Sequence, residues 1–215
     1  GLITFTKGLQ WVVFWALLAM IGAFILNPFC AVLFIFSVFC EFIYCKLLKI
    51  THLKIIASAM VKATGGLAGI YAVNPNPPID FICFVFFWLA CWEVGGQNIA
   101  NDIVDMEDDK RVGAKTTLTV KGLNTSVFIL VSAVSMAAFG GVTIFFVAGP
   151  GVGLVYPIGA LLLGYFLLLK PAKVVYESPG PVEAASLFNR ASYMPLCFLL
   201  LTVVSILINN QMLNL

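Results

Sequence analysis

The acidic residues of this chain are concentrated in one short segment. Five of the ten Asp and Glu residues fall between Asp102 and Asp109. Asn101, Asp105 and Asp109 are spaced four residues apart, so they share one face if the segment is helical. Carboxylates this close together repel each other unless a cation neutralises them, and Mg²⁺ binds through one or two carboxylates together with substrate phosphates. The spacing therefore points to a Mg²⁺ site that holds a diphosphate.

The composition indicates which class of protein positions this segment. Of the 215 residues, 61% are hydrophobic and 10% are charged, whereas an ordinary soluble domain has about 45–50% apolar and about 25% charged residues. A water-soluble fold of this size cannot hide so much apolar surface. The same composition, with a net charge of only +2, excludes a disordered chain and a nucleic-acid binder. The sequence predicts an all-α integral membrane protein.

Seven segments satisfy the requirement of a transmembrane helix for about 20 mostly apolar residues. They lie near residues 8–26, 28–48, 53–73, 79–99, 125–147, 151–170 and 192–212. Two longer connections, at 100–124 and 171–191, are predicted as loops, and the first contains the acidic segment. We therefore expect a single domain over residues 1–215, with seven transmembrane helices in one bundle.

The basic residues predict the orientation of this bundle. With seven spans, every Lys and Arg except Lys62 falls on one side of the membrane, and Lys62 lies inside the third span. The positive-inside rule assigns the basic side to the cytoplasm. We expect the N-terminal side and the loop at 100–124 to be cytoplasmic, in a bacterial or archaeal cell membrane.

Three ionisable residues lie within the predicted spans, two or three helical turns from that same side. They are Glu41, Lys62 and Glu93. Charges inside a bilayer are costly and usually face a cavity or a partner. Glu41 and Lys62 could form a pair between neighbouring helices. Alternatively, all three line a polar cavity beneath the acidic segment, in which Lys54 and Lys62 bind phosphate oxygens as point charges.

The segment from Asn101 to Gly122 resembles the second aspartate-rich motif of the UbiA superfamily of intramembrane prenyltransferases. In that family a DxxxD pair ends a transmembrane helix, a Gly-x-[Lys/Arg]-[Thr/Ser] turn follows, and an apolar stretch closes with Gly. The matching residues are Asp105, Asp109, Gly113, Lys115, Thr116 and Gly122. Tyr44 to Lys54 and Leu187 to Tyr193 resemble other cytoplasmic segments of the family, so the resemblance covers nearly the whole chain.

The resemblance implies a nine-helix fold, of which this sequence corresponds to helices 3 to 9. We expect helices 1 and 2, with the first aspartate-rich motif, to be missing from it. The activity implied is Mg²⁺-dependent transfer of a prenyl group from an allylic prenyl diphosphate to an acceptor, often aromatic, in the synthesis of lipid quinones, pigments or related lipids.

The resemblance also implies roles for individual residues. Asp105 and Asp109 are expected to be catalytic and to bind Mg²⁺, with Asp102 or Glu107 supporting. Five residues are expected to bind substrate: Lys54, Lys62, Asn101, Lys110 and Arg111. Asn101 departs from many family members, which have Tyr or Lys there.

Three other interpretations of the sequence remain open. The acidic segment could be a solvated loop that balances Lys110 and Arg111. The chain could be a non-catalytic UbiA-like subunit of a larger membrane assembly, binding lipid or pigment. It could also be a transporter in which Glu41, Lys62 and Glu93 relay ions.

Overall fold

Seven helical segments of the structure are long and apolar enough to cross a membrane. The structure, a computed structural model, describes residues 3–213, and every regular element in that range is helical. The ten helices of five or more residues are α1 (Phe5–Leu26), α2 (Pro28–Leu47), α3 (Lys54–Val73), α4 (Ile79–Val104), α5 (Met106–Val112), α6 (Thr117–Lys121), α7 (Leu123–Ala148), α8 (Val155–Glu177), α9 (Pro181–Ser192) and α10 (Met194–Leu213). The spans are α1 to α4, α7, α8 and the segment Pro181–Gln211, which combines α9 with α10. The predicted all-α membrane fold is confirmed.

The structure differs from the prediction at the two connections expected to be loops. Helix α4 runs to Val104 and is followed by α5 and α6, so residues 100–124 are largely helical. Residues 171–191 are likewise helical except near Ser178 to Gly180, because α8 continues to Glu177 and α9 begins at Pro181. A helix satisfies its backbone hydrogen bonds internally, so it can continue into polar surroundings where the apolar run used for prediction has ended.

Helix α4 contains a wider π-helical segment at Glu93–Ile99. Two glycines in this segment allow neighbouring helices to approach closely. A Cβ atom on Gly95 would lie 2.7 Å from the carbonyl oxygen of Leu130 in α7, and one on Gly96 would lie 2.9 Å from the Cβ of Ala191 in α9. Helix α4 is therefore held between α7 and α9 where its turns are widest.

The packed core lies between α4, α7, α8, α9 and α10. Two polar aromatic side chains in this core are paired. The indole of Trp88 donates to the carbonyl oxygen of Ala137 at 2.8 Å, and the hydroxyl of Tyr156 donates to the carbonyl oxygen of Gly141 at 3.1 Å. Helix α1, in contrast, has no buried residue. Helix α2 lies between α1 and α3, and together α2, α3 and α4 form the wall on which the polar residues lie.

Candidate functional site

A polar cavity of about 520 Å³ opens among α2, α3, α4, α5 and α9. Its lining is rich in charged and amide side chains, although most of these residues belong to apolar helices. The lining residues are Glu41, Tyr44, Leu48, Lys54, Ser58, Lys62, Glu93, Gln97, Asn98, Asn101, Asp102, Asp105, Asp109 and Phe188. The structure thus brings Asp102, Asp105 and Asp109, which we call the acidic cluster, into one cavity with the ionisable residues of the spans.

Helix α3 shows how far the cavity extends along the bundle. Lys54, Ser58 and Lys62 are four residues apart and lie on one face of α3, which lines the cavity. At 1.5 Å per residue, the eight residues from Lys54 to Lys62 span about 12 Å. We call the end at Lys54 the mouth and the end at Lys62 the inner end.

A buried lysine at the mouth is held by three contacts. Only 4% of Lys54 is exposed. Its Nζ lies 4.0 Å from Oδ1 of Asp102, donates a hydrogen bond of 3.3 Å to the hydroxyl of Tyr44, and lies 4.9 Å from the centre of the Tyr44 ring. A buried charge requires such partners because its desolvation is costly. Lys54 is therefore a fixed positive charge beside the acidic cluster.

Asp105 and Asp109 lie at the mouth, where α4 ends and α5 begins. Oδ2 of Asp105 accepts a hydrogen bond of 2.8 Å from the side-chain amide of Asn101, one helical turn earlier. Asp109 is half-buried, and this burial raises the pKa of its carboxyl above the usual value. Lys54 lowers that pKa in part, while the neighbouring carboxylates of Asp105 and Asp108 raise it further.

A glycine turn and a capped helix fix the acidic segment in place. Gly113 ends α5 in the left-handed region, with a φ of 72°, which favours glycine. The backbone amide of Lys115 then donates to the carbonyl oxygen of Leu48 at 2.7 Å, which ties this segment to the α2–α3 connection. Thr116 caps α6 with a reciprocal pair of hydrogen bonds to Thr119. The motif residues after the acidic pair therefore have a structural role.

The chemistry of the acidic cluster fits Mg²⁺ bound together with a substrate. The carboxylates of Asp102, Asp105 and Asp109 offer oxygen ligands, which Mg²⁺ prefers. Within residues 3–213, no three His, Cys, Asp or Glu side chains are close enough to hold a metal ion by themselves. Mg²⁺ commonly takes only one or two carboxylates and completes its coordination with phosphate oxygens and water. Asp105 and Asp109 can supply that number.

Two residues predicted to bind substrate do not line the cavity. Lys110 and Arg111 lie on the exposed side of α5, where Nζ of Lys110 is 3.1 Å from Oε1 of Glu107 and Nη2 of Arg111 is 2.7 Å from Oδ1 of Asp108. The acidic segment is thus divided between two faces. Glu107 and Asp108 balance the neighbouring basic residues in the exposed position, as the solvated-loop interpretation expected, whereas Asp102, Asp105 and Asp109 line the cavity.

Glu41 and Lys62 line the inner part of the cavity but do not form the pair considered from the sequence. Both side chains are exposed, and none of the ion pairs found between residues 3 and 213 joins them. Lys62 lines the same cavity as Lys54, two helical turns away on α3.

The buried carboxylate of Glu93 lies beside Ser58, between the mouth and the inner end of the cavity. Only 3% of Glu93 is exposed. Its Oε1 accepts hydrogen bonds from the hydroxyl of Ser58 at 2.7 Å and the side-chain amide of Asn98 at 3.3 Å, and that amide also donates to Ser58 at 2.8 Å. The π-helical turn brings Asn98, five residues after Glu93, onto the same side of α4. Sequence reasoning identified Glu93 but missed Ser58 and Asn98, whose polar side chains within apolar spans were the available signal.

Comparisons with known proteins agree on one fold. The family model described as the UbiA prenyltransferase family matches residues 1–208. The fold is similar to a solved structure described as digeranylgeranylglyceryl phosphate synthase in membranes, with a TM-score of 0.69 and 15% sequence identity, over 95% of this chain and 71% of that one. A search of curated proteins found no match.

Proposed function

The chain belongs to the UbiA prenyltransferase family, and we propose that it is an enzyme that transfers a prenyl group from an allylic prenyl diphosphate to an acceptor within the membrane. The observation that carries the proposal is the single cavity that gathers Asp102, Asp105 and Asp109 with Lys54 at one end of an apolar helical bundle. A diphosphate bears several negative charges on oxygen, so its binding needs cations. At the mouth of the cavity Lys54 supplies one positive charge, and Asp105 and Asp109 would hold Mg²⁺ as another.

We assign diphosphate binding to the mouth. Asp105 and Asp109 would hold the diphosphate through Mg²⁺, and Lys54 would donate to its oxygens directly. Asp102 is buried against Lys54, so in this proposal its main role is to keep the lysine in place. Asn101 holds Oδ2 of Asp105 and so orients that carboxylate. Lys62, two turns deeper, can approach the diphosphate only with its extended side chain.

In the proposed reaction the bond between the prenyl carbon and the diphosphate oxygen breaks, and the electron pair leaves with the diphosphate. Negative charge grows on the diphosphate oxygens, where the fixed charge of Lys54 stabilises it. Mg²⁺, when bound, would neutralise further charge on the leaving group. The acceptor then forms a bond to the prenyl carbon and transfers a proton to the released diphosphate. Productive transfer requires that the bound substrates keep water away from the prenyl cation, which water would otherwise capture.

We further propose an aromatic acceptor, a place in the synthesis of lipid quinones, pigments or related lipids, and a cytoplasmic mouth. The support is the family, the position of the cavity among apolar helices, and the one-sided distribution of basic residues.

To test the proposal, the chain in lipid nanodiscs is incubated with labelled geranylgeranyl diphosphate, Mg²⁺ and a panel of aromatic acceptors. The label should move into a lipid-extractable product. Asp105→Asn and Asp109→Asn should abolish this transfer. Asp108→Asn is the matched control, because Asp108 lies next to Asp109 but outside the cavity, paired with Arg111. Undiminished transfer by the first two variants would overturn the site assignment.

A further inference from the structure

A small cleft of about 70 Å³ lies between the end of α8 and α9. Three residues of each helix line it: Lys170, Pro171 and Val174 of α8, and Glu183, Ser186 and Arg190 of α9. None of these six residues lines the larger cavity that contains the acidic cluster. The cleft is therefore a separate feature of the surface, formed by these two helices.

Two basic residues of the cleft have no acidic partner. None of the ion pairs found between residues 3 and 213 includes Lys170 or Arg190. By contrast, Nζ of Lys173, three residues after Lys170, lies 3.6 Å from Oε1 of Glu177. Lys170 and Arg190 are both exposed, so a molecule outside the protein can reach them. The cleft therefore offers two accessible positive charges to an anion.

The hairpin formed by α8 and α9 sets these two charges at one level. Only residues 178–180 connect the helices, so the late residues of α9 return beside earlier residues of α8. Lys170 is seven residues before the end of α8, and Arg190 is nine residues after the start of α9. The two cations are therefore at similar distances from the connection.

The carboxylate of the cleft lies away from these cations. Glu183 precedes Arg190 by seven residues, or about 10 Å along α9. Oε2 of Glu183 lies 2.6 Å from the position of a Cβ atom on Gly180, at the start of α9, where the helix dipole favours a negative charge. Ser186 is one turn from Arg190. The end of the cleft at Arg190 therefore combines positive charge with a nearby hydroxyl.

An exposed apolar stripe leads from Lys170 into the membrane. Phe166, Leu162 and Ile158 precede Lys170 at intervals of four residues on α8, and each is about half exposed or more. Nζ of Lys170 lies 5.9 Å from the centre of the Phe166 ring. The twelve residues from Ile158 to Lys170 span about 18 Å, and the hydrocarbon of one leaflet is about 15 Å thick. Lys170 is therefore at the level of the lipid headgroups when the stripe lies in the hydrocarbon.

We propose that this cleft binds the phosphate of an anionic membrane phospholipid through Lys170, Arg190 and the hydroxyl of Ser186. A phospholipid places its phosphate at this level and an acyl chain along the apolar stripe, so one molecule fits both. A zwitterionic lipid also carries an ammonium group, which the two cations repel. The cleft therefore selects anionic headgroups, and this selection does not depend on the proposed enzymatic function.

Native mass spectrometry of the full chain in detergent tests this selection. The chain is mixed with equal amounts of phosphatidylglycerol and phosphatidylcholine that have the same acyl chains. Each basic residue at a membrane surface contributes about fivefold to the binding of anionic lipid. The wild-type chain should therefore bind phosphatidylglycerol about five- to twenty-five-fold more tightly, and the double variant Lys170→Gln with Arg190→Gln should show a preference below twofold. Equal binding of the two lipids by the wild type would overturn the proposal.

A second double variant separates the cleft from a general attraction of the basic surface. Lys121→Gln with Lys173→Gln removes the same charge at two exposed positions that do not line the cleft. This control should retain the preference for phosphatidylglycerol. Both double variants should melt close to the wild type, because all four side chains are exposed. An equal loss of the preference in the two double variants would refute a specific site.

Inorganic phosphate distinguishes a lipid site from a site for a soluble anion. Equilibrium dialysis measures the binding of labelled phosphate, at submillimolar concentration, to the delipidated wild type and to the variant with both Lys170→Gln and Arg190→Gln. The two should bind equally, because phosphate lacks the acyl chain that contacts the stripe. Phosphate binding that is present in the wild type and lost in the variant would assign the cleft to a soluble anion and overturn the lipid assignment.

Discussion

Gly95 provides a quantitative test of how the site is held. Gly95 lies in the π-helical segment of α4 that also contains Glu93. A Cβ atom at Gly95 would lie 2.7 Å from the carbonyl oxygen of Leu130 and 2.9 Å from both the backbone nitrogen and a methyl group of Val134. Two of these three atoms belong to the backbone of α7, so a side-chain rotation cannot relieve the contact. Gly95→Ala must push α4 and α7 apart.

The expected loss of stability follows from this contact. Overpacking of a well-filled interior costs about 1–3 kcal/mol, which corresponds to a melting temperature lower by about 2–12 °C for a domain of this size. The matched control is Gly65→Ala, because a Cβ on Gly65 of α3 meets no atom within 4 Å. That substitution should be neutral, or stabilising by up to about 1 kcal/mol through helix propensity.

Thermal unfolding of both variants in the same detergent measures the difference. The fluorescence of Trp88 and the other tryptophans can be followed as the temperature is raised. If Gly95→Ala were as stable as the wild type, or if both variants lost the same stability, the close packing of α4 on α7 would be refuted.

Three further predictions concern the mouth of the cavity. Lys54→Met should leave Asp102 buried without its partner. The free energy of chemical unfolding should fall by about 3–5 kcal/mol, and the same preparation should bind the diphosphate more weakly. Lys110→Gln and Arg111→Gln should change the dissociation constant of a prenyl diphosphate analogue by less than about twofold, since both side chains lie outside the cavity; a tenfold loss would place them in the site. Burial raises the pKa of Asp109, so its ionised form is lost at a higher pH than that of an exposed aspartate, and Mg²⁺-dependent binding of the analogue should weaken earlier as the pH falls. In Asp108→Asn this weakening should occur at a lower pH, because the Asp108 carboxylate helps to raise the pKa of Asp109.

Apolar run lengths predicted the seven spans because a membrane helix must satisfy a length and a hydrophobicity at once. They did not predict where α4, α8 and α9 continue into polar surroundings. The helical turns outside the apolar runs are stabilised by packing and by internal hydrogen bonds, which hydrophobicity does not reveal. The extension of α4 to Val104 and the start of α9 at Pro181 are examples.

The sequence likewise indicated part of the residues that line the cavity. The spacing of Asn101, Asp105 and Asp109 and the position of Lys54 indicated the mouth of the cavity from the sequence alone. Asp108 falls outside this four-residue spacing, and the structure places it on the exposed face of α5, where it pairs with Arg111. The bonds from Ser58 and Asn98 to Glu93 depend on the π-helical turn, which no spacing rule anticipates.

Binding of labelled geranylgeranyl diphosphate to the chain in nanodiscs, with Mg²⁺ or with a chelator, tests the central claim most directly. We predict binding that requires Mg²⁺, that is lost in Asp105→Asn and in Asp109→Asn, and that is retained in Asp108→Asn. Absence of Mg²⁺-dependent binding in the wild-type chain would contradict the account and favour a non-catalytic member of the family.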